Sequence, residues 1–212
     1  MSGARLMWAV IFAAALLPLA FAAFTQHAWE DYFITLRASR NLVEGHGLVF
    51  NPGERVHTYT SPLGVLLPAL CTALAGAQRE ELALWPFRAL NAALLGAGAW
   101  LVWQRATAAR VGAVGCVLLF GLIFTDAKLI DFSINGMETA ILVFFLLLLW
   151  AELEAPNGPR VSRIALACAG LMWTRPDGFV LGAALILPHL VIRRRADGAS
   201  CVPWRRLAQG IA

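Results

Sequence analysis

Apolar and polar positions alternate along this chain in long blocks, not at the two-residue period of strands. Predominantly apolar stretches cover residues 6–24, 62–77, 82–103, 111–124, 139–150, 164–173 and 179–192. Runs of this length with so few charges predict helices that enter a membrane. Short polar stretches separate them, except for one long polar segment, 25–61, after the first run. The reading is all-α, a polytopic membrane helix bundle in one module over 1–212, without a soluble domain, a low-complexity stretch or a clear internal repeat. Residues 1–24 have a basic start at Arg5 and an Ala20-Phe21-Ala22 sequence like a signal cleavage site. Their apolar run is longer than the usual signal-peptide core, which predicts a retained first helix.

The arginines choose the topology. If 62–77 does not span, ten of the 17 basic residues fall on the cytoplasmic side: Arg5, Arg105, Arg110, Arg160, Arg163, Arg193, Arg194, Arg195, Arg205 and Arg206. Arg37, Arg40, Arg55, Arg79, Arg88, Lys128 and Arg175 are left outside. If it spans, twelve of 17 lie outside, including the arginine triplet. The positive-inside rule favours the first arrangement. At 1.5 Å per residue the segment covers about 24 Å, short of a hydrocarbon core of about 30 Å. The prediction is six spanning helices plus one re-entrant or interfacial helix at 62–77. Both termini are then cytoplasmic, 25–61 is an outer loop, and 193–212 is a basic tail. The expected location is a bacterial inner membrane.

Composition agrees: 59% of residues are hydrophobic and 14% charged. The net charge of +4 is loop arginine placed by topology and excludes a nucleic-acid reading. Cys71, Cys116, Cys168 and Cys201 have no paired spacing and predict neither a disulfide framework nor a zinc site. Trp8, Trp29, Trp85, Trp103, Trp150, Trp173 and Trp204 fall near predicted helix ends, as an aromatic belt would. Trp29 also adjoins the acids described next and could stack on a sugar.

Under this topology the outer side collects the candidate chemistry. Glu30 and Asp31 sit where the first helix ends. Adjacent carboxylates suit a general base or a divalent-cation site, here magnesium or manganese. Residues 32–42 interleave apolar side chains with Arg37 and Arg40, an amphipathic helix on the membrane surface. Gly45, Gly47 and Asn51-Pro52-Gly53 give the following loop a defined shape. His46 and His57 are candidate ligands or proton carriers. Arg88 lies within an apolar stretch, where a charge costs about 2.5–3.5 kcal/mol and so has a reason to be there. Glu138 opens a span and could cap its helix.

These residues resemble a known family. Glu30-Asp31, the following FI-x-x-R-x-x-x-N-L-x-E-G-H-G-L-V-F-N-P-G-E and Tyr59-Thr60-Ser61-Pro62-Leu63 look like the first outer loop of bacterial GT-C glycosyltransferases. Gly136-Met137-Glu138-Thr139 and Thr174-Arg175-Pro176-Asp177-Gly178 resemble two further motifs of that family, in its order. The nearest branch includes the mycobacterial terminal arabinofuranosyltransferases and protein O-mannosyltransferase-like proteins. The resemblance implies a polyprenyl-phosphate sugar donor, inverting transfer on the outer face and a glycan or protein acceptor. The catalytic acid falls on Glu30 or Asp31; Asp31 keeps the family's aspartate. A leaving phosphate needs a cation, for which Arg175, Arg88 and Lys128 are candidates. His57, Tyr59, Glu138 and Asp177 complete the expected substrate-binding set.

Enzymes of this superfamily continue for several more spans. The expectation is therefore a catalytic N-terminal part, a split subunit completed by a second membrane protein, or a minimal module. A non-catalytic protein of the same fold that binds a polyprenyl-phosphate lipid or a partner subunit is the alternative. A transporter fits less well, because the paired broken helices of inverted repeats are not evident.

Overall fold

A computed structural model describes residues 3–54, 56, 59–76 and 80–191. His57, the end of the 62–77 segment and the basic tail 193–212 lie outside the described residues, as does Cys201. Among the described residues all regular structure is helical: α1 Gly3–Thr25, α2 Glu30–Val43, α3 Pro62–Ala75, α4 Glu80–Ala108, α5 Ala113–Phe124, α6 Ala127–Ile134, α7 Thr139–Leu153, α8 Val161–Thr174 and α9 Gly178–Val191.

The all-helical expectation holds. α1, at 23 residues, is the one described helix long and apolar enough by itself to cross a bilayer. α5 and α6 pass the same test together but are bent by 58° at their junction. The cause is local: the Asp126 carboxylate accepts a hydrogen bond from the Leu129 amide at 2.7 Å and caps a new helix. The expected straight span over 111–124 is therefore a 12-residue helix of about 18 Å followed by a turn. α3, α7 and α8 are apolar but have only 14, 15 and 14 residues. α3 and α7 begin, and α8 ends, at polar turns that carry the sequence motifs.

α4, with 29 residues, is the axis of the bundle. It packs against α1, α3, α5, α6 and α7, while α7 packs in turn on α8 and α9. One core cluster joins four helices through Tyr32, Leu36, Cys71, Phe87 and Ile141. Another joins α4, α7 and α8 through Leu101, Leu149, Ile164 and Leu171. The cysteines at 71, 116 and 168 are free. Outward faces remain apolar. Val114, Leu118 and Leu122 recur every fourth residue on α5, and Leu66, Leu70 and Leu74 do so on α3; all six are exposed.

α7 and α8 are antiparallel, with different polar chemistry at each end. At one end Glu138 meets Arg175 at 3.7 Å. At the other, buried Glu152 pairs with Arg163 at 2.9 Å and accepts from the Arg160 amide at 3.3 Å. His189 of α9 meets Glu154 at 3.0 Å near that same end. The motif residues and the loop arginines Arg160 and Arg163 are thus separated by the length of α7, about 22 Å.

Candidate functional site

α2 begins with the acidic pair in its first turn, where carboxylates favour the helix dipole. Consecutive helical residues project about 100° apart, so the two acids diverge. Asp31, with Ile34 and Thr35 at the i+3 and i+4 positions, lines a cavity of about 290 Å³. Glu30 is exposed and does not line it. The remaining walls come from Tyr59-Thr60-Ser61, Gly136-Met137-Glu138 and Arg175. Four stretches far apart in sequence meet around one space.

Each stretch is held there by identifiable contacts. Ser61 caps α3 by accepting from the Gly64 amide at 2.8 Å. Ser39 of α2 donates to the Val65 carbonyl at 2.8 Å, tying α3 to the helix that carries Asp31. Gly136 has φ +104°, and a Cβ there would lie 2.5 Å from the Tyr32 ring. Only glycine lets the 135–138 turn lie flat on buried Tyr32. The Trp29 amide donates to the Asn135 carbonyl at 2.9 Å, which stitches the start of α2 to the same turn.

Arg175 ends α8 and projects between two carboxylates. Its Nε donates to Asp177 Oδ1 at 3.0 Å, and its Nη1 lies 3.7 Å from Glu138 Oε1. Glu138 is the N-cap residue of α7 but makes no side-chain cap bond; its carboxylate serves Arg175 instead. The hydrogen bond from Arg175 holds the Asp177 carboxyl below its ordinary range, and the same bond raises the guanidinium. A depressed carboxyl contributes its interaction above its unfolded pKa and loses it as pH falls through the lower folded value. A raised guanidinium loses its share only in strong alkali. The pair is therefore charged throughout the range from about pH 4 to about pH 12. In a carbon-13 NMR titration the Asp177 carboxyl should show a midpoint below about 3.9 that moves up towards that value in Arg175→Met.

The other expected residues fall elsewhere. Lys128 is exposed on α6 and does not line the cavity. His46 is exposed and lies 4.0 Å from Glu44. Trp29 stacks on Phe132 at 4.9 Å and is edge-on to His27, so its ring belongs to the packing rather than to a sugar. Arg88 is buried at 2% exposure, away from this cavity. Its Nη2 donates to the His27 carbonyl at 2.5 Å and reaches Asn135 Oδ1 at 3.4 Å, while Nε donates to the Ile134 carbonyl at 3.2 Å. It clamps together the two backbone segments that deliver Asp31 and Glu138. Arg88→Met strands these carbonyls and should cost about 3 kcal/mol or more, read as a lower thermal midpoint in detergent.

α2 differs from the surface helix the sequence predicts. It buries Tyr32, Leu36, Ser39 and Asn41 and exposes Phe33 and Ile34. The spacing Arg37-x-x-x-Asn41 in the loop motif has a structural use. Asn41 Nδ2 donates to the Val49 and Phe50 carbonyls at 2.7 and 2.9 Å. Arg37 donates to the Phe50 carbonyl at 3.1 Å and covers the Phe50 ring at 4.4 Å. One helix turn apart, these two side chains fold the glycine-rich loop back onto α2.

The divergence of Glu30 and Asp31 counts against a cation held by the pair. Among the described residues no three His, Cys, Asp or Glu side chains gather in metal-binding geometry.

Comparison with known proteins gives a consistent direction. The chain is similar to a terminal beta-(1->2)-arabinofuranosyltransferase of Corynebacterium glutamicum, with 30% identity over 141 residues, covering 63% of this chain and 20% of that protein. It is similar to a terminal beta-(1->2)-arabinofuranosyltransferase of Mycobacterium tuberculosis, with 27% identity over 202 residues, covering 85% of this chain and 30% of that protein. The chain thus spans less than a third of the length of these relatives. No family model matches it, and no solved structure is significantly similar.

Proposed function

We propose that this chain, a distant homologue of terminal arabinofuranosyltransferases over part of their length, carries the catalytic acid of a membrane glycosyltransferase. The donor is a polyprenyl-phosphate sugar and the acceptor a cell-envelope glycan or protein, with inversion at the transferred carbon. The observation that carries the reading is the cavity itself, which Asp31 and Arg175 line together with Tyr59 and Glu138. An acceptor hydroxyl oxygen attacks the anomeric carbon while its proton passes to the Asp31 carboxylate. The bond from that carbon to the phosphate oxygen breaks, and the oxygen keeps the electron pair. Arg175 holds the negative charge that collects on the phosphate. Glu138 and Asp177 fix the guanidinium in place, so no side-chain entropy is lost as charge develops.

A multi-pass membrane setting accompanies this reading. The exposed leucine stripes on α3 and α5, with Phe12, Leu16 and Phe24 of α1, turn apolar faces outward. Lipid covers them at no cost. The short helices α7, α8 and α9 cross with help from their polar ends, and the Arg160 and Arg163 end lies in the cytoplasm.

The test is transfer from a labelled polyprenyl-phosphate pentose or hexose by the purified chain in lipid nanodiscs. Release or transfer of the sugar is expected. Arg175→Met should lower kcat/KM by about a hundredfold, as loss of one preorganised donor to a developing oxyanion does. Unchanged donor turnover in that variant would remove Arg175 from the mechanism.

A further inference from the structure

A second cavity, of about 310 Å³, opens on the other flank of the first turn of α2. Its walls include Gln26, Tyr32, Phe33, Glu81, Trp85 and Arg88. None of these residues faces the Asp31 cavity. Helix geometry explains the division: Asp31, Ile34 and Thr35 point to one side of α2, while Tyr32 and Phe33 point to the other.

The wall chemistry selects a ligand class. Glu81 brings one negative charge and Arg88 one positive, so the space has no fixed charge bias. Glu81 lies at the exposed start of α4. Arg88 spends Nε and Nη2 on backbone carbonyls and Asn135, which leaves Nη1 as a donor among the described residues. Gln26 holds a left-handed backbone at φ 50°, uncommon outside glycine, with its amide nitrogen donating to the Ala23 carbonyl at 2.7 Å. That bond leaves its Oε1 as an acceptor. Trp85 is 38% exposed, with the Arg88 guanidinium 4.8 Å from its ring centroid. A phosphate would meet the Glu81 carboxylate, and a hydrocarbon chain would leave Arg88 Nη1, Gln26 Oε1 and the Glu81 carboxylate without partners. Sugar hydroxyls both donate and accept, and the C–H face of a sugar ring packs on indole.

We propose that this cavity binds the acceptor as a neutral saccharide, and that the first turn of α2 divides acceptor from lipid-phosphate donor. The proposal rests on the glycosyltransferase reading for the word acceptor; the saccharide site stands on the cavity. Trp85 supplies the stacking surface, Arg88 donates, and Glu81 and Gln26 accept.

The test is saturation-transfer NMR on the full chain in detergent micelles without any donor, with methyl arabinofuranoside and methyl mannopyranoside as probes. At least one saccharide should receive saturation. Its affinity should fall at least tenfold in Glu81→Gln, which keeps the side-chain shape, and in Trp85→Ala, and stay unchanged in Arg175→Met. Absent binding, or binding indifferent to Glu81→Gln and Trp85→Ala, overturns the site. In the transfer assay Glu81→Gln should raise the acceptor KM and leave kcat unchanged. If Asp31→Asn stops transfer while Glu81→Gln leaves the acceptor KM untouched, the acceptor site is wrong and the glycosyltransferase stands. Saccharide binding that depends on Glu81 without any transfer keeps the saccharide site and overturns the glycosyltransferase reading.

Discussion

Asp31→Asn should reduce sugar transfer by about a thousandfold, within the range of about 10²–10⁴ that a general base contributes. At 1.36 kcal/mol per factor of ten, that is about 4 kcal/mol of barrier. The carboxamide keeps the size and position of the side chain but cannot take up the acceptor proton. The Asp31 carboxylate makes no hydrogen bond that supports the fold among the described contacts; only its backbone carbonyl accepts, from Thr35 Oγ1 at 3.3 Å. Folding and membrane insertion should therefore be unaffected, and detergent-solubilised variant should have the elution volume and thermal midpoint of the parent. Glu30→Gln should change the rate less than about threefold, since that side chain projects away from the cavity. Equal losses in the two variants would mean that the pair acts jointly. Full activity in Asp31→Asn would end the assignment.

Gly136→Val should be the most damaging change outside the acids. Two penalties combine. The residue has φ +104°, where a β-branched side chain is strained by about 1–3 kcal/mol. Its Cβ would also lie 2.5 Å from Tyr32 Cβ and Cγ, and Tyr32 is 1% exposed and packed on Phe87 and Ile141. The ring cannot move aside without opening that core, which adds about 1–3 kcal/mol for overpacking. The expected result is a thermal midpoint lowered by roughly 10 °C and a loss of transfer larger than stability alone explains, because the 136–138 turn carries Glu138 away from Arg175. Gly136→Ala meets the same contact with fewer carbons and should fall between. A Gly136→Val protein with parental stability and activity would show that the turn need not lie against Tyr32.

The turns and caps around the candidate site were readable in the sequence because they are local. Gly45, Gly47 and Gly53 were expected to shape the loop, and all three have positive φ. The helix expected from residue 62 begins there, and Ser61 caps it. The resemblance named Asp31, Tyr59, Glu138 and Arg175, which line one cavity. Arg88, Lys128 and Trp29 were less readable, because a sequence shows that a charge or ring lies near a helix end but not which way it projects. Arg88 was expected at a phosphate on account of the cost of its burial; that cost is met by three oxygen acceptors, two of them backbone carbonyls, contacts that leave no mark in the side-chain pattern. The second cavity was invisible for the same reason. Gln26 and Glu81 lie 55 positions apart and carry no motif.

The sequence by itself determined the helical class, the caps and turns, and the gathering of motif residues near helix ends, since each depends on neighbours within a few positions. Tertiary structure decided which of two adjacent acids lines a cavity with Arg175 and that the first turn of α2 divides two cavities. It also decided that α5 bends into α6 instead of continuing straight. The facing of the acids and the division of the cavities depend on how α2 rotates against α3 and α4. That rotation is set by the burial of Tyr32 and Leu36 against Phe87, Cys71 and Ile141, side chains up to 109 residues away along the chain.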